Sequence, residues 1–442
     1  MGISLVVVEG PGHRLQDDIG PAGHLREAFI PMDMATDAGF VDRLVDAIKT
    51  YSVLRQVHGL HTIDEIYLIQ VAKACAILGL PSTSPGCYAR ALDKFTTRML
   101  EPDTHGSFRV FGVEDLRGRL DGQDMSLLYP MVVRPCIGWS SQCVTKVHNE
   151  DELFTAVQKA SARHATPNSF EWYEPRTDVV VEPYIDGPEV DANFVLLDGE
   201  LLFCEISDDF PSPADLFAFQ QQDNFLETVQ IIPSNLPVDE QTLLKESIYQ
   251  SITRQGFTTG VFHCEARVQG SSMQYTVEDG LLDLRCQSSV TVTGHPKTFL
   301  HEINPRPPAY QSSMAILSAY GVDYYALQLA SCIDDKIRFR AFAKPFCPSP
   351  QHIVAVKYLH EPMAGVMATE DAGADLLRRK PILKPNIPMY KTIKKKGDQL
   401  KGPSGAVVLS FLAYFLIVSK ESRKSCLELI QCVEEEFRFS LQ

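Results

Sequence analysis

The sequence lacks the features that would place it in a membrane or outside the cell. Its N-terminus has no basic segment followed by a long apolar stretch and a small-residue cleavage site. The most apolar run, Ala406 to Val418, is too short for a helix that must cross about 30 Å of hydrocarbon, so we interpret it as a buried strand. The 11 cysteines form no CxxC pair and have no histidines at zinc spacing. We therefore predict a cytoplasmic protein without a membrane partner, whose cysteines are reduced and mostly buried.

Lysine and arginine together are fewer than aspartate and glutamate, 41 against 56. The formal net charge is -15, which argues against nucleic acid as the main partner. The chain of 442 residues is 45% hydrophobic, and at roughly 150 residues per domain this length suggests about three globular domains. We find no internal repeat and no low-complexity segment.

The N-terminal part alternates between strand and helix patterns. A β-branched run at Ser4 to Val8 precedes a Gly/Pro loop, and helical spacing follows at Phe40 to Tyr51 and at Glu65 to Leu78. This alternation predicts an α/β domain with a parallel sheet. Nucleotide-binding domains usually open with a strand, a glycine turn and a helix, whereas this chain begins at the second strand. We therefore expect a Rossmann-like domain over residues 1–90 that lacks its first strand–helix unit.

The rest of the chain predicts a mixture of strands and helices. The predicted strands are Met131–Val133, Val144–Val147, Asp178–Val181, Ala192–Leu197, Leu201–Ile206, Gly260–Val268 and Thr298–Ile303. The predicted helices are Glu150–Ser161, Asp239–Gln255, Tyr320–Ser331 and Ser422–Phe437. Gln269 to Lys297 is interpreted as an insertion with a possible strand of its own, and the last hundred or so residues as a strand-rich segment.

Two short patterns could bind phosphate. In the first, Asp93 and Lys94 enter a helix after a Pro/Ser-rich loop, and a lysine there can reach a phosphate as a point charge. In the second, a strand ends at Arg134 and is followed by a Gly/Ser loop that begins at Gly138. The backbone N–H groups and hydroxyls of such a loop can cover phosphates. The plain alternatives are a solvated ion pair for the first pattern and a polar hairpin tip for the second.

A third pattern resembles a nucleotide hinge. The segment Val181 to Glu189 leaves a strand and carries carboxylates seven residues apart, at Glu182 and Glu189. A connector between two lobes offers backbone groups to an adenine edge, and a carboxylate can accept both ribose hydroxyls. An acidic surface turn is the plain alternative.

A fourth pattern predicts a metal site. Glu265 lies near the predicted end of one strand, and Glu302-Ile-Asn304-Pro-Arg306 ends another. Residues two apart in a strand share a face, so Glu302 and Asn304 point together. Carboxylate and amide oxygens suit Mg²⁺ that bridges nucleotide phosphates, and Arg306 would lie where phosphoryl charge develops. Carboxylates buried against an arginine are a poorer explanation, and we do not expect the nearby histidines His263 and His301 to bind a metal.

In combination, these patterns resemble the ATP-grasp carboxylate–amine ligases, a group that includes L-amino-acid ligases, carnosine synthase and carbamoyl phosphate synthetase-like proteins. The similarity runs nearly end to end and rests on Leu78-Gly-Leu-Pro81, Asp93-Lys94, the Glu182/Glu189 hinge and Glu302 to Arg306, together with Glu265. It implies a fold that is α/β and α+β. An ATP-grasp domain over residues 91–335 would hold ATP between two lobes, and a C-terminal domain over 336–442 would pack on the large lobe.

The resemblance also implies roles for individual residues. Lys94 and Arg134 would hold the nucleotide phosphates. The phosphate loop would be formed by Gly138, Ser140 and Ser141. Adenine would contact Glu182, Pro183, Tyr184 and Ile185, and ribose would contact Glu189. Mg²⁺ or Mn²⁺ would be held by Glu265, Glu302 and Asn304. Arg306 would stabilise the acyl phosphate and the tetrahedral intermediate.

The sequence departs from the family at three places. Arginine stands at position 134 where lysine is usual, the loop from Gly138 has one glycine where relatives have several, and Pro307 to Ser313 replaces a glycine-rich loop. None of these removes a metal ligand, so we expect an active enzyme whose altered segment shapes the substrate pocket.

The resemblance implies a ligase that joins a carboxylic acid to an amine, in particular amino acids, and releases ADP and phosphate. A stand-alone enzyme with an unusual pocket suits secondary metabolism, and a homodimer is expected. Two alternatives remain open at this stage. One is an ATP-binding protein without catalysis, although its metal set is intact. The other is an enzyme that forms carboxyphosphate from bicarbonate, although no biotin-carrier segment is visible.

Overall fold

A computed structural model describes residues 2–122, 127–163, 176–216, 225–287, 295–402 and 411–442. The N-terminal part pairs two parallel strands, β1 (Val6–Glu9) and β2 (Ala28–Pro31). A short 3₁₀ turn (Gly23–Leu25) lies between them. Two helices follow, α1 (Phe40–Ser52) and α2 (Glu65–Leu78).

Local chemistry fixes both ends of α2. The Asp64 carboxylate accepts a hydrogen bond from the Ile66 N–H, and Gly79 ends the helix at a φ of 69°. These are the capping interactions that helix termini need for their unpaired backbone groups. The helix therefore begins and ends where the sequence predicted, and it packs Tyr67 against Phe40 of α1.

Two short helices, α3 (Pro85–Leu92) and α4 (Lys94–Leu100), lead into a small lobe. This lobe contains β3 (Phe108–Val110), α5 (Val113–Asp121), β4 (Met131–Pro135), β5 (Thr145–Val147), α6 (Glu150–Ser161) and β6 (Val179–Pro183). Its strands form one antiparallel sheet in the order β3-β6-β4-β5. Apolar residues of α6, such as Leu153 and Val157, are fully buried against this sheet.

The remaining strands follow in chain order. They are β7 (Glu189–Leu197), β8 (Glu200–Asp209), β9 (Val229–Ile232), β10 (Gly260–Gln269), β11 (Met273–Glu278), β12 (Leu281–Cys286), β13 (Lys297–Asn304), β14 (Ile353–His360), β15 (Ala364–Val366), β16 (Met389–Thr392), β17 (Gln399–Lys401) and β18 (Phe411–Ser419). The helices are α7 (Pro213–Leu216), α8 (Val238–Gln255), α9 (Tyr310–Tyr320), α10 (Tyr324–Cys332), α11 (Lys336–Phe342), α12 (Ala372–Arg379) and α13 (Arg423–Glu436), with a 3₁₀ segment at Pro381–Asn386.

One eight-stranded antiparallel sheet organises the large lobe and the C-terminal segment together. Its strand order is β13-β10-β7-β8-β9-β14-β18-β16. β9 of the large lobe pairs directly with β14 of the C-terminal segment. The last three strands in this order therefore contact the large lobe edge to edge through backbone hydrogen bonds. The domain bounds at 90/91 and 335/336, and the missing first unit, stay predictions.

Alternation along the central strands separates an apolar face from a polar face. Val190, Ala192 and Phe194 of β7 are fully buried in a cluster that also contains Leu244 and Ile248 of α8. The alternate residues of the same strand are Glu189, Asp191 and Asn193. Because successive side chains of a strand point to opposite sides, these three polar residues face away from that core.

The structure corrects two of the predictions made for these elements. The helix predicted at Tyr320 to Ser331 begins at Tyr324, as α10, because Tyr320 is the last residue of α9 and Gly321 ends that helix at a φ of 78°. Glu265 lies in the middle of β10, so the expectation that it ends its strand is wrong. Residues 406–410 of the predicted strand Ala406 to Val418 lie outside the described residues. Among the described residues, no helix has the length and apolarity required to span a membrane.

Candidate active site

A cavity of about 230 Å³ lies where the small lobe, the large lobe and the N-terminal helices meet. It is lined by 13 of the 14 predicted site residues: Lys94, Arg134, Gly138, Ser140, Ser141, Glu182, Pro183, Tyr184, Ile185, Glu189, Glu265, Glu302 and Arg306. Asn304 lines a smaller adjoining pocket together with Lys94 and Glu302. Residues far apart in the sequence are thus brought to one place.

The register of the large sheet explains how the acidic residues meet. Glu265 of β10 is the partner of Glu302 on β13 and of Asp191 on β7. The three carboxylates therefore form a row across neighbouring strands. Side chains directly opposite each other in an antiparallel pair lie about 4.5–5.5 Å apart at Cβ, so the row is fixed by backbone pairing.

A second polar row lies beside the first. His263 of β10 is the partner of both Asn193 on β7 and Asn304 on β13. His263 Nδ1 lies 3.0 Å from Asn193 Oδ1, and the Asn193 amide also contacts Glu205. Burial, and then the charge of Arg306, lower the pKa of His263 to about 3, so this imidazole is neutral at pH 7.

Glu302 is surrounded by donors. Lys94 Nζ lies 2.6 Å from Glu302 Oε2, and Asn304 Nδ2 donates to Oε1 at 3.0 Å. Burial alone would raise the pKa of this carboxyl group. The Lys94 ammonium, Arg134 and the Asn304 hydrogen bond outweigh burial and hold the pKa of Glu302 well below its usual range. These neighbours therefore favour the anionic form of Glu302.

Glu265 has the opposite environment, although it lies directly across from Glu302. Its carboxylate lies 3.6 Å from the neutral His263 ring, and no lysine or arginine among the described residues forms an ion pair with it. Burial and the negative charges of Glu302, Glu189 and Glu227 raise the pKa of Glu265 well above its usual range. Such a carboxylate gains the most from a nearby cation.

These donors fit a hard divalent cation. Two carboxylates in one row, with an amide on the second row, supply the oxygen ligands that Mg²⁺ prefers. The Asn304 N–H₂ group is used by Glu302, which turns its carbonyl oxygen toward other partners. Asp191, His263 and Glu265 also approach closely, with one ligand atom of each within 4.8 Å of the others. The expectation that His263 does not bind metal stays a prediction.

Lys94 is positioned by its own helix start. The Asp93 carboxylate caps α4 by accepting from the Thr96 N–H, and the Lys94 backbone N–H donates to Cys136 O at 2.8 Å. The Lys94 ammonium also donates to Gly138 O at 2.7 Å. The cation is thus held between the phosphate loop predicted from the sequence and the carboxylate of Glu302.

The loop after β4 has an unusual backbone. Ser140, Ser141 and Cys143 have φ values of 52°, 49° and 57°. This left-handed region favours glycine, yet serine or cysteine stands at each of these three positions. The loop is nonetheless in place over the cavity, with Gly138, Ser140 and Ser141 among its lining residues.

The Glu182 side chain is engaged with two arginines. Arg98 Nε donates to Oε2 at 3.2 Å, and Arg134 Nη2 lies 2.6 Å from Oε1. All three side chains are at least 94% buried. Arg98 was missed by sequence reasoning, which assigned Glu182 to adenine and Arg134 to phosphate. The following residues, Pro183, Tyr184 and Ile185, line the cavity.

Glu189 also has an arginine partner that the sequence analysis did not identify. Arg267 donates to Glu189 Oε2, to Asp215 Oδ1 at 2.7 Å and to the Tyr184 hydroxyl at 2.9 Å. Arg267 lies two residues after Glu265 on the same strand face, so the period of two could have indicated it. This network fixes the predicted ribose acceptor against the hinge.

Arg306 is held by the N-terminal part of the chain. Its Nε donates to Glu65 Oε1 at 2.7 Å, and Glu65 is the first residue of α2. Burial would lower the pKa of Arg306, but the Glu65 carboxylate outweighs burial and raises it. Nothing in the local pattern around Glu65 distinguished it from an ordinary helix-start carboxylate.

Three more carboxylates line the cavity and were also missed: Asp191, Asp209 and Glu227. Asp191 shares a strand face with Glu189, and Asp209 is the register partner of Glu189 on β8. Burial, followed by neighbouring carboxylates, raises the pKa of Asp191 and of Asp209 well above the usual range. Period-two spacing from Glu189 could have indicated Asp191, whereas Glu227 precedes β9 and had no such signal.

Comparisons with known proteins agree on a family. Residues 1–82 match the family described as the ATP-grasp N-terminal domain, and residues 127–281 match the ATP-grasp domain. The ATP-grasp enzyme fsqD of Aspergillus fumigatus is 34% identical over 452 residues, which covers 100% of this chain and 75% of that protein. A D-alanine–D-alanine ligase of Bifidobacterium longum subsp. infantis is 29% identical over 126 residues, covering 26% of this chain and 30% of the ligase.

Solved structures show the same fold. An L-amino acid ligase from Bacillus licheniformis superposes with a TM-score of 0.72 at 17% identity, covering 100% of this chain and 93% of that one. A phosphoribosylglycinamide synthetase from Anaerococcus prevotii gives a TM-score of 0.61 at 14% identity, with coverage of 100% and 94%. These matches confirm the fold class predicted from the sequence.

Proposed function

This chain belongs to the ATP-grasp family of ligases, and on that premise we propose that it joins a carboxylic acid to an amine through an acyl phosphate. The observation that carries the proposal is the row formed by Glu265 and Glu302, with Lys94 and Arg306 in the same cavity. Two facing carboxylates beside two fixed cations suit phosphoryl transfer, in which catalysis is mostly positioning and charge stabilisation.

The nucleotide would lie across the cavity from the hinge to the metal set. The Pro183 to Ile185 segment would contact adenine, and Glu189 would accept the ribose hydroxyls. Lys94, Arg134 and the serines of the Gly138 loop would hold the phosphates. This assignment is supported by the presence of all these groups on the lining of one cavity. Glu182 would act indirectly, by holding Arg134 in place.

Glu265, Glu302 and Asn304 would hold Mg²⁺ or Mn²⁺. When bound, such an ion would supply positive charge that offsets the negative charge of the phosphates. The residues of the chain would position the carboxylic acid against the terminal phosphorus of ATP. One carboxylate oxygen then bonds to that phosphorus, the bond from phosphorus to the bridging oxygen breaks, and ADP leaves.

The second half of the reaction uses the amine. Its nitrogen attacks the acyl carbon, the bond from that carbon to the phosphate oxygen breaks, and phosphate leaves as the nitrogen loses a proton. Arg306 would stabilise the negative charge that develops on the acyl group and the departing phosphate. The ion pair with Glu65 supports this role because it fixes the position of the Arg306 guanidinium group.

The test is a pairwise screen of amino acids and other carboxylic acids with amines, measuring ADP and phosphate release and amide formation. Release that requires both an acid and an amine supports ligation. Release driven by bicarbonate alone would replace this proposal with carboxyphosphate formation. Amino acids are the first choice, since the similar D-alanine–D-alanine ligase and L-amino acid ligase act on them as their names state.

The role of Arg306 is tested by Arg306→Ala. The variant should bind ATP normally but lose roughly 10²–10³ in kcat, the scale expected when one charge-stabilising donor is removed. Arg340→Ala is the matched control, because Arg340 is an exposed arginine paired with Glu200 on the surface. A wild-type kcat in Arg306→Ala would exclude this residue from the reaction. The cytoplasmic location, the homodimer and the role in secondary metabolism remain part of the proposal.

A further inference from the structure

Strand β13 contains an extra residue just before Glu302. In the pairing of β10 with β13, Glu265 lies opposite Glu302, whereas the next residue of β10, Ala266, lies opposite Leu300. His301 therefore has no partner on β10, and the strand forms a β-bulge at this residue. β13 is also the first strand in the order of the eight-stranded sheet, so β10 covers only one of its two edges.

The bulge determines which side chains of β13 face the cavity. Leu300 and Ile303 are both buried in the apolar core, although residues three apart in a regular strand face opposite sides. His301 and Glu302 lie between them, and both line the cavity. In a regular strand with Leu300 in the core, the side chain of Glu302 would face the core as well. The extra residue therefore brings Glu302 to the side of Glu265.

Two arginines contact the backbone of this bulge. Arg98 Nη2 donates to the Leu300 carbonyl at 2.5 Å, and Arg134 Nη2 donates to the His301 carbonyl at 3.0 Å. Both arginines also bind Glu182, one at each carboxylate oxygen, so they lie on the same side of β13. Successive carbonyl groups of a regular strand point toward opposite edges. The two hydrogen bonds therefore fit the bulged backbone and not a regular one.

The helix that carries Arg98 contacts β13 at two points. Arg98 is 3% exposed, and its Cζ lies 3.9 Å from the centroid of the Phe299 ring. Lys94 stands four residues earlier on α4, and residues four apart on a helix share a face. Lys94 Nζ lies 2.6 Å from Glu302 Oε2. One helix face thus holds both the carboxylate of Glu302 and the backbone that precedes it.

We propose that Arg98 is a positioning residue for the metal set, because it holds the bulge at His301 and so keeps Glu302 on the cavity side, opposite Glu265. This inference rests on the proposed function, in which Glu302 helps to hold Mg²⁺ or Mn²⁺. Arg98 acts through the backbone of β13 and not by contact with the ion or a substrate. Arg134 lines the cavity itself, so Arg98 is the better residue for a test.

Two substitutions at Arg98 test this role. Arg98→Met removes the charge and every donor, whereas Arg98→Lys keeps the charge and three donors but loses the planar fork. Mn²⁺ binding is measured by electron paramagnetic resonance during titration with MnCl₂ at saturating ADP. In Arg98→Met, the affinity should fall by about 10- to 100-fold, the range expected when a group that orients a metal ligand is removed. The affinity of Arg98→Lys should lie between those of Arg98→Met and the wild type.

Two further readouts respond to position and not to stability. The resonance spectrum of the bound Mn²⁺ should change in Arg98→Met, because the arrangement of its ligands changes. In the ligation assay, kcat should fall while the KM values of the acid and the amine change little, since the interaction lost is made in the transition state.

Arg254→Met is the matched control. Arg254 pairs with Glu101, the residue that follows α4, at 2.8 Å and also donates to Ser251. None of these three residues is among those that line the cavity. The control should lower the free energy of unfolding but leave Mn²⁺ affinity and the spectrum unchanged. Equal losses of affinity in Arg254→Met and Arg98→Met would overturn the inference.

Wild-type Mn²⁺ affinity in folded Arg98→Met would also overturn it. If Arg98→Met does not fold, wild-type affinity and an unchanged spectrum in Arg98→Lys have the same meaning. Glu302→Gln separates this inference from the proposed function, and none of the binding measurements requires a ligated product. Loss of Mn²⁺ binding in Glu302→Gln but not in Arg98→Met overturns the role of Arg98 alone. Wild-type binding in Glu302→Gln overturns the metal set and, with it, both proposals.

Discussion

Glu182 and a group of three carboxylates, those of Asp191, Asp209 and Glu227, line one cavity but have opposite electrostatic surroundings. At the hinge, both oxygens of Glu182 are taken by the buried arginines Arg98 and Arg134. Across the cavity, Asp191, Asp209 and Glu227 crowd together, and within the described residues no arginine or lysine is paired with them. Glu182 therefore has its counter-charges within the protein, whereas burial and crowding raise the pKa of Asp191 and of Asp209 well above the usual range.

The difference indicates what each end contributes. A carboxylate with two buried cationic partners maintains the geometry of its neighbours, and removing it leaves charges unpaired. A carboxylate held among like charges is poised to bind a cation. Glu302 stands at the boundary, since Lys94 and Asn304 satisfy it while Glu265 repels it. Substitutions at these positions test this difference.

The largest effect is expected for Glu302→Gln. The amide keeps the shape of the side chain but removes the anion that faces Lys94 and Glu265, so metal-dependent turnover should be abolished with the fold nearly intact. Mn²⁺ binding by calorimetry and ADP release measure the two consequences. Glu278→Gln is the control, because Glu278 is an exposed carboxylate paired with Arg285. Normal turnover in Glu302→Gln would remove this residue from the metal set.

Glu182→Ala should instead affect stability. It leaves Arg98 and Arg134 buried without a counter-charge, and breaking a buried pair in this way costs about 3–5 kcal/mol. Urea unfolding is the measurement. Lys336→Ala breaks an exposed pair with Asp198 and should cost no more than about 1 kcal/mol. If the two substitutions lower the free energy of unfolding equally, the buried pairs of Glu182 contribute no more to stability than an exposed pair does.

Glu189→Ala should weaken ATP binding. Loss of a charged acceptor for the ribose hydroxyls corresponds to about 1.5–3 kcal/mol, measured as the ATP dissociation constant by calorimetry. Because Glu189 also contacts Arg267, circular dichroism should be recorded to verify the fold. Glu200→Ala, at an exposed carboxylate that pairs with Arg340, provides the comparison. An unchanged constant in a folded Glu189→Ala variant would move the ribose site elsewhere.

The smallest effect is expected for Glu205→Gln and depends on pH. Burial raises the pKa of Glu205 from 4.5 to about 8, only partly opposed by the Asn193 hydrogen bond. The protonated form is therefore favoured in the folded state, and this contribution to stability is present below pH 4.5 and is lost as the pH rises toward 8.

Glu205→Gln cannot ionise, so its melting temperature should exceed that of the wild type at pH 8 by an amount that corresponds to about 1 kcal/mol or more. The two melting temperatures should converge near pH 4.5. A difference independent of pH would show that the effect comes from packing. A variant less stable than the wild type at pH 8 would show that the buried Glu205 anion is stabilised after all.

Sequence patterns predicted correctly those helices whose ends are capped by residues adjacent to them in the sequence. The bounds of α2 follow from Asp64 and Gly79, which are adjacent in sequence to the helix they cap. The predicted start at Tyr320 lies four residues before α10, because Tyr320 is the last residue of α9, a helix that was not predicted. The order of the eight strands could not be read from periodicity, since pairing such as that of β9 with β14 depends on long-range contacts.

The same distinction applies to the site. Glu302, Asn304 and Arg306 share one strand end, so their spacing indicated a common face. Glu65 and Arg98 come from helices distant in sequence, and only the folded chain brings them to Arg306 and Glu182. The resemblance to the family supplied roles for the cavity-lining residues. It did not indicate that the carboxylates of Glu182 and Glu189 form ion pairs with arginines.

The pairing of β9 with β14 restricts how this enzyme can be engineered. β14, β18 and β16 complete the sheet in which β7, β10 and β13 carry the two polar rows of the cavity. A truncation before β14 would remove the strand that pairs with β9. The backbone hydrogen-bonding groups at that edge of β9 would then be exposed, and an exposed sheet edge favours association with other chains. Chimeras that graft a foreign C-terminal segment would have to reproduce this strand register, so the last hundred or so residues behave as an inseparable part of the scaffold and not as an exchangeable module.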